Sequence, residues 1–247
     1  MELINNIFHG RTLLICMIFG FLGVLLWWLK FQKQLNLQWK EAVVLSLGHF
    51  VIGTIAMRMW AILEVGGNLE EAANLRLYGA MFLLPPFYFA WAKLTKRDVM
   101  LTMDISGICG IIGLVIGRIN CMLSGCCEGM PMFFGSEMRW PLREIELIYC
   151  AVVLIYYGRK ILKGTDRGQI LPKLMISYGV IRFIMEWVRE EYTGTLGIFH
   201  LAHIWSLIAI VVGAVMYYKV RKNIRPGETR RNDAKSKRLA KGGKAND

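Results

Sequence analysis

TLLICMIFGFLGVLLWWL, residues 12–29, runs for eighteen residues without a charged side chain. As a helix rising 1.5 Å per residue it would reach about 27 Å, close to the roughly 30 Å of hydrocarbon in a bilayer. It lacks both the basic start and the small-x-small cleavage site of a secretory signal, so it reads as a retained membrane helix. Comparable blocks recur near 42–63, 78–92, 99–124, 145–157, 169–188 and 199–218. Those at 78–92 and 145–157 are short, but aromatic or amphipathic flanks extend them, the latter as far back as Arg143. A hydrophobic content of 55% and a mean hydropathy of +0.41 agree. The expectation is an all-α, polytopic integral membrane protein of about seven transmembrane helices over residues 1–222, followed by a basic tail, 223–247.

The distribution of charge orients that fold. Lys and Arg number three in 30–41, three in 93–98, four in 158–168 and eleven in 219–247, whereas the alternate loops hold only Arg11, Arg76, Arg139, Arg143 and Arg189. Because positive loops stay in the cytoplasm, the N-terminus is predicted outside and the C-terminus cytoplasmic. The net charge of +12 would suggest nucleic acid in a soluble chain, but here most of it lies in the tail, so no nucleic-acid partner is expected. The tail has too few apolar residues to bury a core and reads as disordered.

Three arginines, Arg58, Arg118 and Arg182, fall inside apolar blocks, each toward the outer end of its span. An unpaired charge there costs about 2.5 to 3.5 kcal/mol or more, so each needs a partner, a cavity or a ligand. Tyr178, Arg182, Glu186 and Arg189 follow at i, i+4, i+8 and i+11, a spacing that predicts one shared helical face. One reading is a structural salt-bridge network. The other is an anion site, because the arginines outnumber nearby carboxylates and guanidinium grips phosphate through paired hydrogen bonds. At the outer leaflet the available phosphates belong to phospholipid headgroups.

The segment GRINCMLSGCCEGMP, Gly117–Pro131, continues into RWPLREIE, Arg139–Glu146. Gly117, Gly125 and Gly129 permit close backbone approach or positive φ, as a cavity-lining stretch needs. Glu128, Glu144 and Glu146 supply carboxylates, any of which, if buried, is a candidate general base. Cys121, Cys126 and Cys127 cluster on the oxidising side, where a redox pair or a tightly packed turn are both open readings. Their spacing lacks the usual Cys-x-x-Cys pair and no histidine lies nearby, so no metal is expected. Cys16, Cys109 and Cys150 sit in apolar runs and His49 in the inner half of its span, all read as core; His203, at the outer start of the last span, is placed to join the site.

These segments resemble the bacterial prolipoprotein diacylglyceryl transferases. That family's final signature, Tyr-x-x-x-Arg-Phe-x-x-Glu-x-x-Arg, is met in full by Tyr178, Arg182, Phe183, Glu186 and Arg189. Its Gly-Arg motif is met by Gly117, Arg118 and Gly125, and its Pro-x-Gln-x-x-Glu motif by Pro141 and Glu146. Cys121 and Ser124 stand where asparagines are usual, Cys126 for a glutamate, Arg143 for the glutamine, and Tyr78-Gly79-Ala80 for a His-Gly-Gly; His203 stands for a glutamine. The resemblance implies seven helices in a bacterial cell membrane. It implies transfer of a diacylglyceryl group from phosphatidylglycerol to the lipobox cysteine of a prolipoprotein, whose signal peptide is the protein partner, with membrane lipids around it and no cofactor. The residue pattern and the resemblance together make Arg118, Arg182, Tyr178, Glu186, Arg143 and Glu146 the candidates for catalysis. Substrate binding falls to Arg189, Arg58, Tyr78, Gly117, Cys121, Ser124, Gly125 and His203. Tyr178, Tyr78, His203 and Glu146 are the candidates to take the thiol proton. A membrane thiol redox protein and a non-catalytic phospholipid binder or transporter are the alternatives.

Overall fold

The computed structural model describes residues 2–64, 66, 76–125, 129–133, 137–189, 195–196 and 199–223. Within them the helices are α1 (Glu2–Lys30), the four-residue α2 (Gln32–Leu35), α3 (Trp39–Glu64), α4 (Leu77–Leu94), α5 (Val99–Ser124), α6 (Leu142–Leu162), α7 (Ile170–Glu186) and α8 (Leu201–Asn223). Cys126, Cys127, Glu128 and the tail beyond Asn223 lie outside the described residues.

Among the described residues four stretches are long and apolar enough to cross a membrane: Thr12–Lys30, Trp39–Glu64, Val99–Ser124 and Leu201–Lys222. Helices α4, α6 and α7 occupy the other three expected blocks without reaching that mark. Pro85 and Pro86 lower the hydropathy of α4, α6 carries Arg143, Glu144, Glu146, Arg159 and Lys160, and α7 is only 17 residues long. α4 runs through its prolines unbroken, a continuity that membrane helices sustain when neighbours cover the freed carbonyls.

One departure from an all-α chain is a two-residue antiparallel pair, β1 (Thr195–Leu196) with β2 (Phe199–His200), in which Thr195 faces His200 and Leu196 faces Phe199. The last helix, expected from residue 199, therefore begins at Leu201.

α5 is the centre of the bundle, packed against α1, α4, α6 and α7, while α3 pairs with α4 and α7 with α8. The interior is apolar and aromatic, built on Val24, Trp28 and Phe31 of α1, Tyr88 of α4 and Ile105, Ile108 and Cys109 of α5. His49 is buried there as expected, its Nδ1 3.0 Å from the Tyr88 hydroxyl, and Cys16 and Cys150 are buried too. The outward face is equally apolar: Leu26, Val44, Ile148 and Val211 are each at least 60% exposed. A surface of that kind suits lipid and not water. Close helix contact comes from missing side chains, as in other membrane bundles. A Cβ on Gly79 would lie 2.1 Å from the Ala56 carbonyl oxygen, and Cβ atoms on Gly179 and Gly213 would lie 2.9 Å from the carbonyl oxygens of Ser206 and Pro172.

The helices alternate in direction, so the bundle has two unlike ends. At the basic end, Arg97 after α4 donates to the Leu35 carbonyl at 2.6 Å, to the Asn36 carbonyl, and to Glu41 at the start of α3. Arg167 before α7 pairs with Asp98, the residue that caps α5. At the opposite end Arg76 before α4 pairs with Glu64 of α3 at 2.9 Å, and the strand-like bridges Gly129 to Arg189 and Pro131 to Arg139 close over the helix ends.

Candidate functional site

The site is assembled at this second end from α5, α6 and α7. Glu146, in the second turn of α6 and 1% exposed, is its hub. One of its oxygens accepts from Arg118 Nη2 of α5 at 2.9 Å and from the Tyr178 hydroxyl of α7 at 2.8 Å. Its other oxygen lies 2.8 Å from Arg118 Nη2 and 3.7 Å from Arg182 Nη1. Arg182 also reaches Glu186, 1% exposed, at 3.2 Å, and Arg189 Nε reaches the same carboxylate at 3.4 Å. A chain of ion pairs thus runs Arg118, Glu146, Arg182, Glu186, Arg189.

Helical periodicity explains why Tyr178, Arg182 and Glu186 act together, since residues four apart stand one above the other. Arg189 reaches the network differently from the expectation that it shares the helical face. α7 ends at Glu186, the chain turns through Trp187 and Val188, and Arg189 is held by its backbone bridge to Gly129. From that turn its guanidinium folds back onto Glu186.

Among the described residues three guanidinium groups share two carboxylates, leaving one positive charge in excess within a cluster whose side chains are at most 12% exposed. Buried ion pairs contribute little net stability, but removing one partner strands a charge at a cost of about 3 to 5 kcal/mol. Arrays of this kind are expensive to keep, and the excess charge gives an anion a place to bind.

The remaining expected residues fall into three groups. Tyr78 lies beside the network: its hydroxyl is 2.6 Å from Ser206 Oγ of α8 and 3.2 Å from the Ala202 carbonyl oxygen, which also accepts from Ser206, so the two hydroxyls share that carbonyl. His203 is fully buried, ringed by Phe183, Trp187, Phe199 and His200. Its Nδ1 accepts the His200 backbone N–H at 3.1 Å, which puts the ring proton on Nε2.

Gly117, Cys121, Ser124 and Gly125 line the end of α5 next to Arg118. A Cβ on Gly117 would meet nothing within 4 Å, so the helix surface there is open. Gly125 ends the helix at φ +67°, its N–H on the Cys121 carbonyl, a conformation costly for residues with a Cβ.

Among the described residues the ion pairs of Glu146 and Glu186 include neither Arg143 nor Arg58. Arg143 lies 3.8 Å from Glu144, and Arg58 is half-buried on α3. Three residues escaped the sequence reading. Ser206 had no signal in a hydrophobic block, Tyr149 hydrogen-bonds Ser177 at 2.8 Å between α6 and α7, and Asp104 was visible only as a lone acid in the apolar run of α5.

Comparison with known proteins matches residues 8–219 to the family described as prolipoprotein diacylglyceryl transferase. A phosphatidylglycerol–prolipoprotein diacylglyceryl transferase of Clostridium tetani is 27% identical over 196 residues, covering 71% of this chain and 78% of that protein. Similar enzymes of Clostridium perfringens, 25% identical over 122 residues (43% of this chain and 46% of that protein), and Finegoldia magna, 25% over 179 residues (64% and 68%), also align.

Proposed function

The chain belongs to the prolipoprotein diacylglyceryl transferase family, and on that premise we propose that it transfers the diacylglyceryl group of phosphatidylglycerol to the lipobox cysteine thiol of a prolipoprotein. It is a multi-pass membrane protein. In this reading α1 and α3 to α8 form seven spans within residues 1–222, residues 223–247 form a basic cytoplasmic tail, and the protein sits in a bacterial cytoplasmic membrane with its N-terminus outside. The exposed cations of the basic end then face the cytoplasm. The Arg118–Glu146–Arg182 array lies toward the outer leaflet, within reach of headgroups and of a signal peptide emerging there.

The observation that carries the reading is the excess positive charge of a buried array with three arginines on two carboxylates. The cysteine sulfur forms a bond to the glycerol carbon bearing the phosphate, the carbon–oxygen bond breaks, and glycerol phosphate leaves. Charge grows on the departing phosphate, where preorganised guanidinium groups act most strongly. Arg118 and Arg182 take that role, Arg189 holds Glu186, and Arg143 binds the headgroup from the start of α6. Arg58, Gly117, Cys121, Ser124 and Gly125 border the bound lipid.

The four groups expected to take the thiol proton are already engaged. Tyr178 donates to Glu146, Tyr78 is hydrogen-bonded to Ser206 and the Ala202 carbonyl, Glu146 is held by Arg118 and Arg182, and the His203 Nδ1 lone pair is used. The departing phosphate, a monoester with a second pKa near about 6, takes the proton in this reading.

The test supplies membranes containing the chain with phosphatidylglycerol labelled in its diacylglyceryl part and with a lipobox peptide. Label is expected on the peptide and absent when its cysteine is serine. Lipid binding without labelled peptide overturns the proposal.

A further inference from the structure

At the basic end of the bundle, Asp104 of α5 is 1% exposed and makes its contacts with the start of another helix. Its carboxylate accepts the backbone N–H groups of Ile170 at 2.9 Å, Leu171 at 3.1 Å and Gly168. The first N–H groups of a helix have no partner within it and carry partial positive charge, so a carboxylate fits there. α7 has no side-chain cap of its own at Gln169. The cap is supplied by α5.

We propose that Asp104 is a positioning residue for the transfer reaction, setting the height and rotation of α7 so that Tyr178 and Arg182 meet Glu146 beside Arg118. The inference rests on the function proposed above. α5 and α7 run parallel, and Arg118 stands fourteen residues beyond Asp104, a rise of about 21 Å. The two helices are therefore joined at both ends: by Asp104 and the α7 N-terminus at one, and through Glu146 at the other.

Between these points the contact is close and apolar. A Cβ on Gly107 would come within 3.0 Å of Leu174 Cδ1 and 3.2 Å of Leu171 Cδ1, on the same face as Asp104 one turn along. α7 is packed tightly to α8 through Gly179 and Gly213, so the two form one packed unit, and α8 carries Ser206 and His203. A one-residue slip of that unit shifts α7 by about 1.5 Å and turns it by about 100°, which takes Arg182 off Glu146. Glu146 binds α7 where the chemistry is; Asp104 fixes it at the opposite end of the bundle.

The experiment uses the full chain in membranes, measuring kcat, KM for phosphatidylglycerol and thermal stability for Asp104→Asn, Arg182→Lys and the double variant. Asp104→Asn keeps the shape but loses the charge and offers one accepting oxygen to three donors. Its kcat is expected to fall about tenfold or more, with KM within about twofold, because small misplacements of reacting groups are costly. On the Arg182→Lys background the same change is expected to cost less than about threefold, since residues acting through one another are not additive.

Multiplicative effects in the double variant, or an unchanged kcat in Asp104→Asn, overturn the proposal. Should Asp104→Asn fail to fold, Gly107→Ala decides: it pushes on α7 from the same place without altering charge, and the same non-additivity with Arg182→Lys is expected, with multiplicative effects again overturning it. Asp166→Asn in the adjacent loop is expected to leave kcat within about twofold, because partly solvated pairs contribute little; a loss equal to that of Asp104→Asn assigns the effect to the loop as a whole and overturns the proposal. A wild-type chain that transfers nothing defeats the function proposed above, whereas transfer that is indifferent to Asp104 defeats this inference alone.

Discussion

The two ends of the bundle use the same residue types for opposite purposes. At the basic end, Arg97–Glu41, Arg167–Asp98 and the Lys160–Asp166–Lys173 trio join loops to helix starts, with side chains 18% to 43% exposed. At the site end, Arg118, Glu146, Arg182, Glu186 and Arg189 are joined just as densely, with side chains 1% to 12% exposed. Solvated pairs are worth about 0 to 1 kcal/mol and weaken in salt, whereas breaking a buried pair costs several times more. Both sets carry one cation in excess, four on three at the basic end and three on two at the site end, so what separates them is burial. A solvated excess is screened by water and salt; a buried one needs an anion such as a phosphate to neutralise it.

The sharpest way to break that contrast is Arg118→Ala. Removing one preorganised donor from the phosphate is expected to lower kcat by about a hundredfold to a thousandfold, measured as labelled diacylglyceryl reaching the lipobox peptide. An effect confined to KM would move Arg118 from the transition state to ground-state binding.

Glu146→Gln comes next. It keeps the shape of the hub but leaves Arg118 and Arg182 with Glu186 as their remaining acid in the chain of ion pairs, and a stability loss of about 3 kcal/mol is expected, read by thermal unfolding in detergent. Retained stability would mean that the array is more hydrated than its burial implies.

A smaller loss, about 1 kcal/mol, is expected for Tyr78→Phe, which removes the hydrogen bond to Ser206 that ties α4 to α8. Its comparison with Ser206→Ala in a double-mutant cycle separates this contact from general packing.

The smallest effect lies at the basic end, where partial burial raises the Asp166 carboxyl pKa but the ammonium groups of Lys160 and Lys173 outweigh it and hold the group below its ordinary value. A carboxyl depressed on folding stabilises the protein above its unfolded pKa and loses that contribution as pH falls through the folded one. The thermal stability of Asp166→Asn should therefore fall slightly below that of wild type at neutral pH and converge with it in acid. A gap that widens on acidification contradicts the assignment.

Much of this contrast was legible in the chain. Uninterrupted apolar length announces α1, α3, α5 and α8, and the four-residue spacing of Tyr178, Arg182 and Glu186 announces a shared face, because both are local consequences of helix geometry. The limits were local too. α1 begins at Glu2 instead of residue 12, and α7 stops at Glu186, so Arg189 joins through a turn that no period encodes.

Partnerships between distant segments were beyond periodicity. Nothing in the run around Asp104 names the α7 N-terminus as its partner, and Ser206 in α8 is an ordinary polar residue until Tyr78 is brought to it. The Glu146 motif pointed to the site, but the sharing of that carboxylate between Arg118 and Arg182 is a fact of packing. Arg58 and Arg118 lie at similar depth by sequence, yet the ion pairs of Glu146 and Glu186 include only the second.

The most direct test of the account sets one arginine from each end side by side, Arg182→Ala and Arg97→Ala, in the same membranes with labelled phosphatidylglycerol and a lipobox peptide. The account expects transfer to fall about a hundredfold or more in the first and to stay within about twofold in the second. Equal losses in the two variants, or transfer that survives Arg182→Ala, would contradict the claim that the chemistry resides in the buried array.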